Sequence, residues 1–67
     1  MKKILTTRER EVFELLVKNY TTKDIAEKLY ISEKTVRNHI SNVMQKLGVE
    51  TRTSAVIELI KSSELSF

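Results

Sequence analysis

Apolar residues recur at helical spacing in four separate stretches of this chain, and a Ser or Thr stands at the head of each. Thr6 followed three residues later by Glu9 fits a capping box, which satisfies amide donors left open at a helix start. Val12, Phe13, Leu16 and Tyr20 then share one face, widened by Leu15 and Val17, and predict a first helix over about 7–19. Arg8, Glu9, Arg10, Glu11 and Glu14 read as surface pairs along it, each worth a few tenths of a kcal/mol. Thr21 caps a second helix over about 22–29, with Asp24 favourable at its positive end. Ile25, Ala26 and Leu29 form its narrow apolar stripe, and the small Ala26 admits another helix backbone. So short a helix needs tertiary contacts to persist.

Ser32 caps a third stretch, SEKTVRNHISNVMQKL, which has two unlike faces. Val36, Ile40, Val43, Met44 and Leu47 make an apolar stripe, and the predicted helix runs over about 33–47. Lys34, Arg37, Asn38, Ser41 and Gln45 lie opposite, all hydrogen-bonding and none acidic. That mixture suits phosphates and base edges, and it equally describes a solvated helix face. Gly48, the sole glycine, predicts a left-handed cap that ends the helix. Thr51 then caps a fourth helix over about 52–61, with Ala55, Val56, Leu59 and Ile60 toward the core and Ile57 on the other side. Ser62 to Phe67 is expected to be a loose tail unless Leu65 or Phe67 folds back onto the first helix.

The second and third helices are joined only by Tyr30-Ile31, an apolar anchor in a short turn, which describes a helix-turn-helix. In that motif the second helix enters the DNA major groove while the first crosses the backbone. A tyrosine at positive φ costs about 1 kcal/mol, so the turn is expected to take another conformation.

Sixty-seven residues without proline, linker or repeat read as one all-α domain, 1–67. Cysteine is absent and His39 is the single histidine, so neither a thiolate nor a His-cluster metal site is expected, and no cofactor. No apolar run reaches the ~20 residues of a membrane span, and residues 1–4, with two lysines and no apolar core after them, do not resemble a signal peptide. No glycine-rich loop and no polar group placed to activate another suggest an enzyme. The net charge is +3, moderate for a nucleic-acid binder. Its distribution says more. Residues 8–14 mix Glu9, Glu11 and Glu14 with Arg8 and Arg10, whereas residues 34–46 carry Lys34, Arg37 and Lys46 and no acid. The surplus charge lies with the third helix, which favours DNA.

The runs Leu5 to Val12, Asp24-Ile25-Ala26, Ile31 to Ile40, Lys46-Leu47-Gly48-Val49 and Arg52 to Val56 resemble the LuxR/GerE-type DNA-binding domain, in its order and over nearly the whole chain. The residues Ile31 to Ile40, with Asn42 and Met44 to Val49, most resemble the small single-domain sporulation regulators of that family. The resemblance implies a four-helix, cytoplasmic, bacterial transcription regulator that binds double-stranded DNA as a homodimer and meets RNA polymerase holoenzyme at promoters. It implies no membrane partner and no small-molecule ligand. A chain of this length beginning with methionine fits a member that consists of this domain alone.

Carried over position by position, Arg37, Asn38 and Ser41 match base-reading sites. Lys34, Thr35, His39, Lys46, Thr22 and Lys23 match sites near the DNA backbone. Ile57 and Lys61 fall on the dimerisation helix. Arg37 is the first candidate for a bidentate guanine contact and Asn38 for adenine or phosphate. Ser41 is shorter than the basic side chains of other members, leaving direct and water-bridged contact both open. His39 flanks the apolar stripe, where a structural histidine and a phosphate contact are both open. A region-4-like piece of a sigma factor shares the helix starts and the Ser-x-x-Thr-Val run. The helix after Gly48-Val49, with Arg52 and Ala55-Val56, argues for the LuxR type. A protein-interaction module on the same fold is the rival outside DNA binding.

Overall fold

The computed structural model describes residues 4–66, in which four helices and no strands occur: α1 (Thr7–Val17), α2 (Thr22–Leu29), α3 (Glu33–Leu47) and α4 (Arg52–Lys61). Each begins as its sequence predicts. Thr6 accepts from the Glu9 amide while the Glu9 carboxylate accepts from the Thr6 amide, and Thr21 and Asp24 repeat this arrangement. The hydroxyls of Ser32 and Thr51 accept from the Thr35 and Ser54 amides. These bonds satisfy donors that a helix start otherwise leaves to water.

The helix ends follow a rule only partly visible in the sequence. Asn19, Tyr30, Gly48 and Ser63 all have positive φ. After each, the next amide reaches back to a carbonyl five residues earlier: Tyr20 to Leu15, Ile31 to Ala26, Val49 to Met44 and Glu64 to Leu59. This closing bond of the Schellman motif satisfies a terminal carbonyl. The first helix therefore stops at Val17, two residues short of the predicted 19, with Asn19 in the left-handed region that asparagine tolerates. The expectation that Tyr30 would avoid this conformation is overturned, since its φ is 58° and its ψ 43°. The Ile31 bond to Ala26 holds the backbone there. The side chain, 94% exposed, is not required by the core.

The core stripes meet as their periodicity implies. Val12 and Phe13 of α1, Ile25 and Ala26 of α2, Val36, Ile40 and Val43 of α3, and Ala55 and Leu59 of α4 are buried together. Val56 and Ile60 pack partly against them. The third helix touches all three others, and α1 also packs on α2.

The periphery departs from a simple reading at two places. Leu65 is buried in the core, so of the two alternatives for the segment after α4 the folded-back one holds and the loose tail does not. The Glu64 carboxylate accepts from the Ile4 and Leu5 amides at 3.0 and 3.2 Å, and Arg10 donates to the Glu64 carbonyl. Phe67, the other candidate for folding back, lies outside the described residues. Nor is Glu9 a surface residue. It is the one buried charged residue among those described, 4% exposed, and Arg10 pairs across the fold with Glu64 rather than along its own helix. Only Arg8–Glu11, at 3.3 Å, is a surface pair of the expected kind on α1.

Candidate nucleic-acid interface

The stripe that buries Val36, Ile40 and Val43 fixes what α3 shows to solvent. Lys34, Arg37, Asn38, Ser41 and Gln45 are exposed, as their opposition to that stripe requires. Arg37 Nη1 lies 3.7 Å from Glu33 Oε1 one turn earlier, with side chains 55% and 48% exposed. A pair this open contributes little to folding and releases its guanidinium readily. Thr35 and His39 lie on the flank and are half-buried. The Thr35 hydroxyl shares a 2.9 Å hydrogen bond with the Ser32 hydroxyl.

At the head of α2, Thr22 is half-buried and Lys23 exposed. Arg52 Nη1 donates to Thr22 Oγ1 at 3.4 Å, bringing a cation from the start of α4 to that corner. Sequence reasoning attached no site role to Arg52. The two residues are 30 positions apart, and only packing brings them together. On α4, Ile57 is 47% exposed. Lys61 is exposed, its ammonium 4.0 Å from Glu58. A groove of about 230 Å³ between α1 and α4, lined by Leu16, Val17, Arg52, Thr53 and Val56, lies apart from the polar face of α3.

Lys46 differs from the other candidate cations. Its ammonium donates to Glu9 Oε1 at 2.6 Å and to the Ile4 carbonyl at 3.3 Å. The same Glu9 oxygen accepts the Thr6 amide at 3.0 Å, so one atom both caps α1 and grips the end of α3. Burial pushes the Glu9 pKa up, but the Lys46 hydrogen bond and charge and the Thr6 amide and hydroxyl outweigh it and hold the value below that of an ordinary carboxylate. The lysine end is 37% exposed and the glutamate 5%. Solvent screens one side of the pair, and losing the lysine strands a buried carboxylate at a cost of ~1–3 kcal/mol.

Residues 3–59 match the family described as bacterial regulatory proteins, luxR family. The chain belongs to that family. Spore germination protein GerE of Bacillus subtilis is 69% identical over 64 residues, which cover 96% of this chain and 86% of that protein. Transcriptional regulatory protein DegU of Brevibacillus brevis is 56% identical over 59 residues, 88% of this chain but only 25% of its own length. The solved structure of the transcription factor GerE superposes with a TM-score of 0.94 at 62% identity, covering 97% of each chain. This luxR-family chain is a DNA-binding transcriptional regulator with the all-α helix-turn-helix fold that its sequence implied. Among the described residues no helix is long and apolar enough to cross a membrane, and no group of His, Cys, Asp or Glu could hold a metal ion.

Proposed function

We propose that α3 is the recognition helix, entering the major groove with Arg37, Asn38 and Ser41 toward the bases. In this reading Arg37 donates two parallel bonds to a guanine, Asn38 meets adenine or phosphate, and Ser41 contacts a base directly or through water. Lys34, Thr35 and His39 on α3, with Thr22 and Lys23 at the head of α2, hold the DNA backbone. Arg52 adds its charge beside Thr22. Lys46 is left out of this contact set because its ammonium is bound to Glu9.

The carrying observation is the division of α3 into a buried apolar stripe and an exposed polar face whose one basic–acidic pair is loose. Two copies of the chain pair through α4 around Ile57 and Lys61 and meet half-sites about 34 Å apart, one helical turn of DNA. The complex acts in the cytoplasm, where the DNA lies, and meets RNA polymerase at promoters. No catalysis, cofactor or small-molecule ligand is part of this reading.

Selection of bound duplexes from a random DNA pool tests it. The expected product is a two-fold symmetric site with half-sites about one turn apart. Recovery of unrelated sequences, or of single half-sites bound by a monomer, would refute the corresponding half of the proposal.

A further inference from the structure

We propose that Lys46 and Glu9 are positioning residues for DNA recognition: their ion pair sets the roll of α3 about its own axis. The inference rests on the reading of α3 as the recognition helix.

Hydrophobic contact is non-directional, so burial of Val36, Ile40 and Val43 against the other three helices sets the roll of α3 less sharply than a directional bond does. At 3.6 residues per turn, Lys46 projects roughly a quarter turn away from that stripe. Its bond to Glu9 at 2.6 Å is directional. The Glu9 carboxylate is held in turn by the Thr6 amide, and the lysine has a second acceptor in the Ile4 carbonyl. The helix is thus gripped along a line and, off that line, at a point near its C-terminal end. A roll of ~20° at a side-chain radius of ~5–6 Å moves a tip by ~2 Å. Hydrogen-bond lengths spread by only ~0.5 Å, so such a roll breaks a bidentate base contact from Arg37.

A direct phosphate contact from Lys46 competes with this role. It requires the ammonium to leave a carboxylate that is 5% exposed and has no comparable cation to replace it among its bonded partners. The ion pair is also locally neutral, which gives it little counterion to release on binding DNA.

Binding of the full chain to its selected site and to random duplex, measured across salt concentrations and normalised to folded protein by circular dichroism, tests the assignment. Lys46→Gln is expected to lower the ratio of selected to random affinity about tenfold while the salt slope stays unchanged. The double variant Glu9→Gln with Lys46→Gln, which substitutes a neutral amide–amide bond, is expected to recover most of that ratio. A slope lowered by ~1 with equal losses on both duplexes makes Lys46 a phosphate contact and overturns the proposal. An unchanged ratio with a lower melting temperature makes the pair purely structural and also overturns it. If Lys46→Gln does not fold, the double variant decides: a ratio and slope near wild type support positioning, and loss of either refutes it. An Arg37→Ala control separates the two readings. If that control keeps full preference, the recognition-helix reading fails and takes this one with it. If it loses preference while Lys46→Gln does not, only this one fails.

Discussion

Two basic side chains on α3 each face a glutamate, and the two pairs behave as opposites. Arg37 and Glu33 sit one turn apart on the same helix at 3.7 Å, both about half exposed. Lys46 and Glu9 come from different helices, 37 residues apart in the sequence, meet at 2.6 Å and leave the carboxylate almost dry. The first pair stabilises little and can dissolve when a better anion arrives. The second holds two helices together and loses a buried charge's partner if it opens. Charge in a DNA-binding domain is therefore not one quantity. In the proposed reading some of it is presented to the nucleic acid, and some is internal structure that happens to reach the surface.

The largest change should come from the core rather than from either pair. Leu65→Ala removes a buried leucine beside the Glu64 clasp and is expected to cost about 2–5 kcal/mol of folding stability, read by urea denaturation. Next, Arg37→Ala should leave that denaturation curve in place but weaken binding to the selected site by about 1–3 kcal/mol and relax its sequence preference. A shift in the curve comparable to the binding loss would erase the contrast between the pairs.

Glu9→Gln keeps the capping acceptor and removes only the charge, with an expected stability loss of about 1 kcal/mol at neutral pH. Because the Glu9 pKa is lowered in the fold, its contribution is complete above the ordinary value of 4.5 and is lost as pH falls through the depressed folded value. The variant and parent curves should therefore converge in acid. Equal separation at every pH would show that the charge is not the cause. The smallest effect belongs to Glu33→Gln. It should cost about 0.3–1 kcal/mol of stability, mostly from its place in the first turn of α3, and slightly tighten binding to any DNA by removing a negative charge from the face.

The inner pair was also the part least legible in the sequence. Helix starts were readable because a Thr or Ser with Glu, Asp or a free amide three residues on is complete local chemistry. The face of α3 was readable because burial of one stripe leaves no choice about the opposite one. Glu9 looked like one of five alternating surface charges, since nothing within α1 marks a partner 37 residues away. Arg52 and Thr22 present the same difficulty at 30 residues. Of the helix ends, Gly48 declared itself. A Cβ there would meet nothing within 4 Å, so its glycine answers to backbone conformation alone. Asn19, Tyr30 and Ser63 adopt similar positive φ values because carbonyls and amides around them close the same bonds, whatever side chain they carry.

The bonds from Ile4 and Leu5 to Glu64 bring the first and last described stretches side by side. A short flexible linker could therefore join residues 4 and 66, and new ends could be opened at Val49-Glu50 between α3 and α4. Domains whose ends lie together tolerate such circular permutation. In the rearranged protein α3 would keep all three helical neighbours while α4 came first in the chain. Chain order and DNA-reading geometry would then be separable properties of this domain.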